Sequence, residues 1–172
     1  MNFLTLAAER YSVRKFDSRP VEQEKIDKIL RAAQLAPTAC NFQPQRVLVI
    51  NSEEALGKLK NCTKWHFDCP LAMLVCFDKG ECWTRRYDNT RSGTVDASIV
   101  ATHMMLEAAE SGIGSTWVMS YDPSALRAEF DLPDNIEDTA LLVMGYPAED
   151  AVPNERHTQY KDINEFVSYN KF

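Results

Sequence analysis

The five cysteines of this 172-residue chain, Cys40, Cys62, Cys69, Cys76 and Cys82, form no Cys-x-x-Cys pair, and their odd number completes no disulfide framework. A reducing, cytoplasmic compartment is therefore expected. The opening stretch MNFLTLAAER has neither the basic start nor the apolar core of a secretory signal. Basic runs are absent beyond Arg85-Arg86, and 19 Lys+Arg against 25 Asp+Glu leave a net charge of −6, so no nucleic-acid partner is expected. The longest apolar-leaning stretch, Val95 to Ala109, is broken by Asp96, Ser98, Thr102, His103 and Glu107. It falls short of the roughly 20 apolar residues that span a bilayer, and no membrane partner is expected.

Local chemical motifs are equally scarce. His66, His103 and His157 lie too far apart to make a local metal motif, and no metal is expected. There is no phosphate-binding GxxxxGK[ST], no HExxH, no EF-hand loop and no GxSxG. Gly112-Ile-Gly114 is half of a dinucleotide fingerprint, but Trp117 stands at the third glycine position and the segment runs from helix to strand, the wrong direction. Nothing near Cys40 in sequence would activate it as a nucleophile.

What is present is a single domain over 1–172, long enough to bury a sizeable core unaided. Between Val21 and Ala36, Ile26, Ile29, Leu30, Ala33 and Ala36 recur at helical spacing with charged residues between them, and Pro37 ends the helix. Arg46–Ile50 reads as a short buried strand, and Ser52 caps a helix near 52–61. Leu71–Phe77 is a continuous apolar run of strand length. The polar, turn-rich stretch 78–94 predicts a long surface loop or lid. Val95–Ser111, apolar on nearly all sides, predicts a centrally packed helix stopped by Gly112. A strand over Ser115–Met119, a short helix from Asp122-Pro123 to Phe130 and a strand over Thr139–Met144 follow, with a last helical turn in 162–168. Irregular alternation of helices and strands implies an α/β or α+β layer structure.

Two segments suggest binding. In an extended Arg10-Tyr11-Ser12-Val13-Arg14-Lys15-Phe16, alternate residues share a face, so Arg10, Ser12 and Arg14 project together as a fork suited to phosphate. Spacing alone also describes an exposed arginine pair with ordinary surface partners. The loop Ala36-Pro-Thr-Ala-Cys-Asn-Phe-Gln-Pro-Gln45 has small residues between two prolines, and Asn41 and Gln43 carry donors and acceptors for a polar heterocycle. It is also a plain helix-to-strand connection.

These blocks, with Asp96-Ala-Ser before a long apolar helix, Gly112-Ile-Gly-Ser-Thr-Trp117 and Met144-Gly-Tyr-Pro147, occur in an order and spacing that resembles the FMN-dependent nitroreductase family over residues 2–170. The resemblance implies an α+β fold, a three-layer sandwich with a mixed sheet flanked by helices, assembled as an intertwined homodimer with FMN sites at the interface. It implies a cofactor site at Arg10, Tyr11, Ser12 and Arg14, with Arg10 and Ser12 on the phosphate and Arg14 toward the ribityl chain and pyrimidine end. Pro37, Thr38, Ala39 and Asn41 would come from the partner subunit, with Asn41 near the flavin ring. Trp117, Val118 and Met119 would flank the isoalloxazine, and Arg156 or Lys161 would add a cation for the phosphate. A glycine is common in the family where Ser120 stands, and Asn61, Lys64 and His66 are candidates to face the pyrimidine.

The implied reaction is ping-pong hydride transfer through FMN N5, from NADH or NADPH to a small-molecule acceptor such as a nitroaromatic or quinone. No side-chain nucleophile is required for it. Phe42, His66, Trp83 and Tyr87 are candidate substrate-pocket residues. Fold and cofactor leave other chemistries open, including dehalogenation, flavin fragmentation and redox sensing with little turnover.

Overall fold

The computed structural model describes residues 2–172. Its helices and strands follow the order α1 (Phe3–Glu9), α2 (Gln23–Leu35), β1 (Gln45–Ile50), α3 (Glu53–Cys62), β2 (Leu71–Asp78), α4 (Gly93–Glu110), β3 (Gly114–Val118), α5 (Pro123–Glu129) and β4 (Ile136–Gly145). Short 3-10 turns at Ala39–Asn41, Glu155–Thr158 and Ile163–Glu165 complete the chain.

The continuous apolar character of β2 and β4 decides the architecture. A strand that faces water on one side alternates apolar with polar, whereas one covered on both faces does not. Leu71, Met73 and Val75 of β2 and Leu142 and Met144 of β4 pack with Ile26, Ile29 and Ala33 of α2 and with Ala97, Val100 and Met104 of α4. Ala72, Leu74 and Cys76 of β2, with Leu141 and Val143 of β4, face the opposite way onto Leu59 and Cys62 of α3 and Leu126 of α5. The result is a three-layer sandwich with α2 and α4 on one side of the sheet and α3 and α5 on the other.

The four strands run in the order β1-β2-β4-β3, and every adjacent pair is antiparallel. The mixed character expected of the sheet is limited, among the described residues, to a parallel bridge between Ser12 and Ser115 on the outer edge of β3. The expectation of a buried strand at 46–50 is corrected. As an edge strand β1 has one neighbour, and only Ile50 is fully buried while Leu48 is 37% exposed.

Helix ends follow local chemistry. The Ser52 side chain accepts from the Ala55 amide at 3.2 Å, and Asp122 accepts from Ser124 and Ala125 at 2.8 and 3.2 Å. Gly112 takes φ +75° just after α4, a conformation in which glycine meets no Cβ penalty. Helix α4 buries Ala97, Val100, Ala101, Met104 and Ala108, but it is less central than its composition predicts, for Val95 is 62% exposed. The 78–94 stretch is a surface excursion closed by a hairpin, in which Ser92 donates to the Trp83 carbonyl and Arg85 to that of Thr90.

Candidate functional site

The segment 10–16 leaves α1 at Arg10 and runs extended along the outer edge of β3. The Val13 amide donates to the Ser115 carbonyl at 3.1 Å, and the Thr116 hydroxyl donates to the Val13 carbonyl. Farther on, Asp17 donates to the Tyr146 carbonyl at 2.8 Å, and Ala148 to that of Lys15 at 3.1 Å. Gly114 makes this approach possible, because a Cβ at that position would lie 2.5 Å from Val13 Cγ2. Val13 is thereby pressed inward at 2% exposure. Arg14 faces the groove beside β3, while Arg10 and Tyr11 line a second cleft with Val13, Gly112–Ser115 and Pro147.

Among the described residues neither Arg10 nor Arg14 has a carboxylate partner, whereas Lys15 pairs with Asp150 and Arg85 with Asp88. Arg14 spends one donor on the Ser12 carbonyl, at 3.1 Å, which orients its guanidinium and leaves the other donors free. Beside it lies a groove of about 190 Å³ lined by Arg14, Trp65, Phe67 and the stretch Thr116–Ser120. The Trp65 and Phe67 rings stand 6.0 Å apart, and Met119 is 64% exposed at the rim. The Thr63 hydroxyl donates to the Ser120 carbonyl at 2.6 Å, fastening the 61–67 turn to the end of β3.

Trp65 and Phe67 are groove walls that the sequence reading missed. An aromatic pair two residues apart in a turn after a helix was the available signal. His66, the candidate between them, does not line the groove; its Nδ1 accepts from the Asp68 amide at 3.0 Å. Asn61 is turned toward α5, where it donates to Glu129 at 2.9 Å. Lys64 lies over the Trp65 ring, 5.1 Å from its centre.

A second group gathers at the start of α4. Asp96 is 2% exposed and uses both carboxylate oxygens: Oδ1 accepts from the Ala39 amide at 2.9 Å and Oδ2 from the Ser92 hydroxyl at 2.7 Å. This places Pro37, Thr38, Ala39, Asn41 and Phe42 beside the hairpin that carries Trp83 and Tyr87. Phe42 is 51% exposed and Tyr87 98%. Within one chain this group does not line the Arg14 groove.

The C-terminal turn docks near the first group. His157 Nε2 lies 3.0 Å from the Ala8 carbonyl, and the His157 and Tyr11 rings meet edge to face at 6.1 Å. Arg156 lies in this docked turn and is exposed, while Lys161 lies beyond the turn and is also exposed. Thiol chemistry finds no support in the core: burial pushes Cys69 up to about 11 and Cys76 up to about 12. Among the described residues no cluster of His, Cys, Asp and Glu could hold a metal, and no helix is long and apolar enough to cross a membrane.

A guanidinium without a carboxylate partner beside an aromatic groove suits a ligand with an anionic end and a flat ring. Comparison with known proteins agrees. The sequence model of the nitroreductase family matches residues 7–73 and 60–146. A crystal structure of a nitroreductase family protein from Clostridium difficile 630 is 44% identical, with TM-score 0.94 and full coverage of both chains. An FMN-dependent nitroreductase from Clostridium difficile R20291 is 28% identical with TM-score 0.78, covering 99% of this chain and 100% of the other. The FMN reductase [NAD(P)H] of Bacillus subtilis strain 168 is 25% identical over 166 residues, 86% of this chain and 67% of that protein. The chain belongs to the nitroreductase family, and it is an oxidoreductase.

Proposed function

We propose that this chain is an FMN-dependent NAD(P)H oxidoreductase working as a homodimer, with nitroaromatics, quinones or similar planar acceptors as its oxidants. The observation that carries the reading is Arg14, without a carboxylate partner on a segment pinned along β3, lining the aromatic groove at Thr116–Ser120. The residues present suit FMN at each end. Arg10 and Ser12, with Arg156 from the docked turn, would hold the phosphate. Trp117, Val118 and Met119 would flank the ring system, and Arg14 would place a fixed positive charge at its pyrimidine end, where it favours negative charge. Trp65 and Phe67 would wall the groove and keep water from its inner side. FMN held by these residues would supply the hydride chemistry that links a nicotinamide donor, NADH or NADPH, to the oxidant.

Two features support a second copy. The Pro37–Asn41 loop, with Phe42, Trp83 and Tyr87, does not reach the groove of its own chain, and a partner's groove would bring the two groups together. In addition, Phe3, Leu4, Val95, Ile163, Phe166 and Tyr169 are each more than 60% exposed, apolar side chains that a second copy would cover. Cytoplasmic residence fits the free thiols.

The test is uptake of FMN followed by size-exclusion with absorbance at flavin and protein wavelengths. The account expects a yellow species at twice the 19.6 kDa chain mass with one flavin per chain. Colourless protein, or yellow protein at the monomer mass, overturns it.

A further inference from the structure

We infer that Asp96 is a positioning residue of the cofactor site: its buried carboxylate fixes the Pro37–Gln43 loop in its binding shape and locks it to the Trp83–Ser92 hairpin. The inference rests on the functional reading above, in which that loop contributes to the flavin pocket.

The loop needs an external tie. Cys40, Asn41 and Gln43 sit at φ values of 50°, 57° and 53°, in the left-handed region, where residues bearing a Cβ are disfavoured. Such backbone persists only when its surroundings hold it. Inside the loop, Asn41 donates to the Thr38 carbonyl, Phe42 to that of Ala39, and the Gln43 amide to the Thr38 hydroxyl. Those bonds close the loop on itself, and its ends are held at Ala36 in the core and at Pro44, whose carbonyl accepts from the Asp78 amide at 2.8 Å. Among the described residues, the bond from the Ala39 amide to Asp96 Oδ1 is the hydrogen bond that joins residues 37–43 to another element.

The other carboxylate oxygen carries the coupling. Asp96 Oδ2 accepts from the hydroxyl of Ser92, whose amide donates to the Trp83 carbonyl and closes the base of the hairpin. Ser92 precedes α4, and its side chain caps no helix amide; it is turned to Asp96 instead. One carboxylate in the first turn of α4 therefore grips the loop with one oxygen and the hairpin with the other. The negative charge itself is favoured there by the helix N-terminus. Asn41, Phe42, Trp83 and Tyr87 thus project from two elements that share one anchor.

Three variants test this with two readouts. Asp96→Ala removes both acceptors. Asp96→Asn keeps both contacts, its amide oxygen accepting from Ala39 and its NH2 donating to the Ser92 oxygen. Ser92→Ala releases only the hairpin. Hydrogen exchange of the peptide containing Ala39 reports the tie directly, and FMN titration by flavin fluorescence reports its consequence. The expected result is loss of Ala39 protection and about a tenfold weaker FMN affinity in Asp96→Ala. Asp96→Asn should stay within about threefold of wild type by both measures, and Ser92→Ala should keep Ala39 protection. Wild-type FMN affinity in Asp96→Ala, accompanied only by a lower melting temperature, overturns the inference. So does equal loss in Asp96→Asn and Asp96→Ala, which would make the charge and not the contacts responsible. Wild-type protein that takes up no FMN contradicts the functional reading instead, while exchange at Ala39 still reads the tie.

Discussion

Gly114→Ala is expected to damage the cofactor site through packing alone. A Cβ at this position would lie 2.5 Å from Val13 Cγ2, 2.8 Å from its Cβ and 3.1 Å from its Cγ1. Ordinary carbon contacts are about 3.5–4.0 Å, so the 12–14 segment must move off β3 by about 1 Å. The Val13-to-Ser115 bond and the Thr116-to-Val13 bond lie in the path of that movement. Overpacking of this kind costs about 1–3 kcal/mol, and for a chain of this length each kcal/mol lowers Tm by about 2–4 °C. A drop of about 2–12 °C by calorimetry is expected, with FMN affinity weakened at least tenfold because Ser12 and Arg14 shift with the segment. Two comparisons isolate the cause. Gly57→Ala, in helix α3 with nothing within 4 Å of its added Cβ, should leave affinity unchanged and raise stability by about 0.5–1 kcal/mol. Adding Val13→Ala to Gly114→Ala removes the Cγ2 and Cγ1 contacts and leaves the 2.8 Å approach to Cβ, so part of the affinity should be recovered. Wild-type Tm and affinity in Gly114→Ala, or no recovery in the double variant, would refute the packing argument.

Three further outcomes follow from the same structure. Arg14→Glu should keep the far-ultraviolet circular dichroism of the wild type yet bind FMN at least a hundredfold more weakly by fluorescence titration, since it replaces an unpaired cation with a charge like that of the phosphate. Raising the pH above about 9 should destabilise the protein in urea titrations. The Cys69 and Cys76 thiols are pushed up to about 11 and about 12 by burial, so each favours the folded state below its unfolded value and loses that contribution as pH climbs toward the folded one. A flat stability profile from pH 8 to 11 would contradict this. Asp122→Ala removes the acceptor for two amides at the start of α5 and should cost about 1 kcal/mol by urea melts, with FMN affinity untouched.

The layers of the fold were readable because burial on both sides writes itself into composition. Leu71–Phe77 and Thr139–Met144 have no polar alternation, and both are the central strands with helices above and below. Caps were equally local: Ser52 and Asp122 act on amides two or three residues ahead. Edge position is not local, and Arg46–Ile50 carries the composition of a buried strand while lying at the sheet margin. Helix α1 escaped notice as well, for its outward Phe3 and Leu4 break the pattern by which an amphipathic helix announces itself.

The site divides along the same line. Alternation along 10–14 is a property of adjacent residues, and it marks Val13 as the inward residue and Arg14 as one turned to the groove. Trp65 and Phe67 are held at the groove by long-range bonds, Thr63 to Ser120 across 57 positions and the Asp122 amide to the Cys62 carbonyl. Asp96 reaches the Ala39 amide over an equal separation. Sequence patterns mark which residue types stand ready; contacts of that range decide which of them meet.

The central claim is that electrons from a nicotinamide donor pass through a flavin held by the Arg10–Arg14 segment. Anaerobic titration of the FMN-loaded protein with NADH and with NADPH, followed at the flavin absorbance, tests it most directly. The account predicts bleaching by at least one donor and return of the yellow colour when a quinone or nitroaromatic is added. A flavin that stays oxidised with both donors would contradict it.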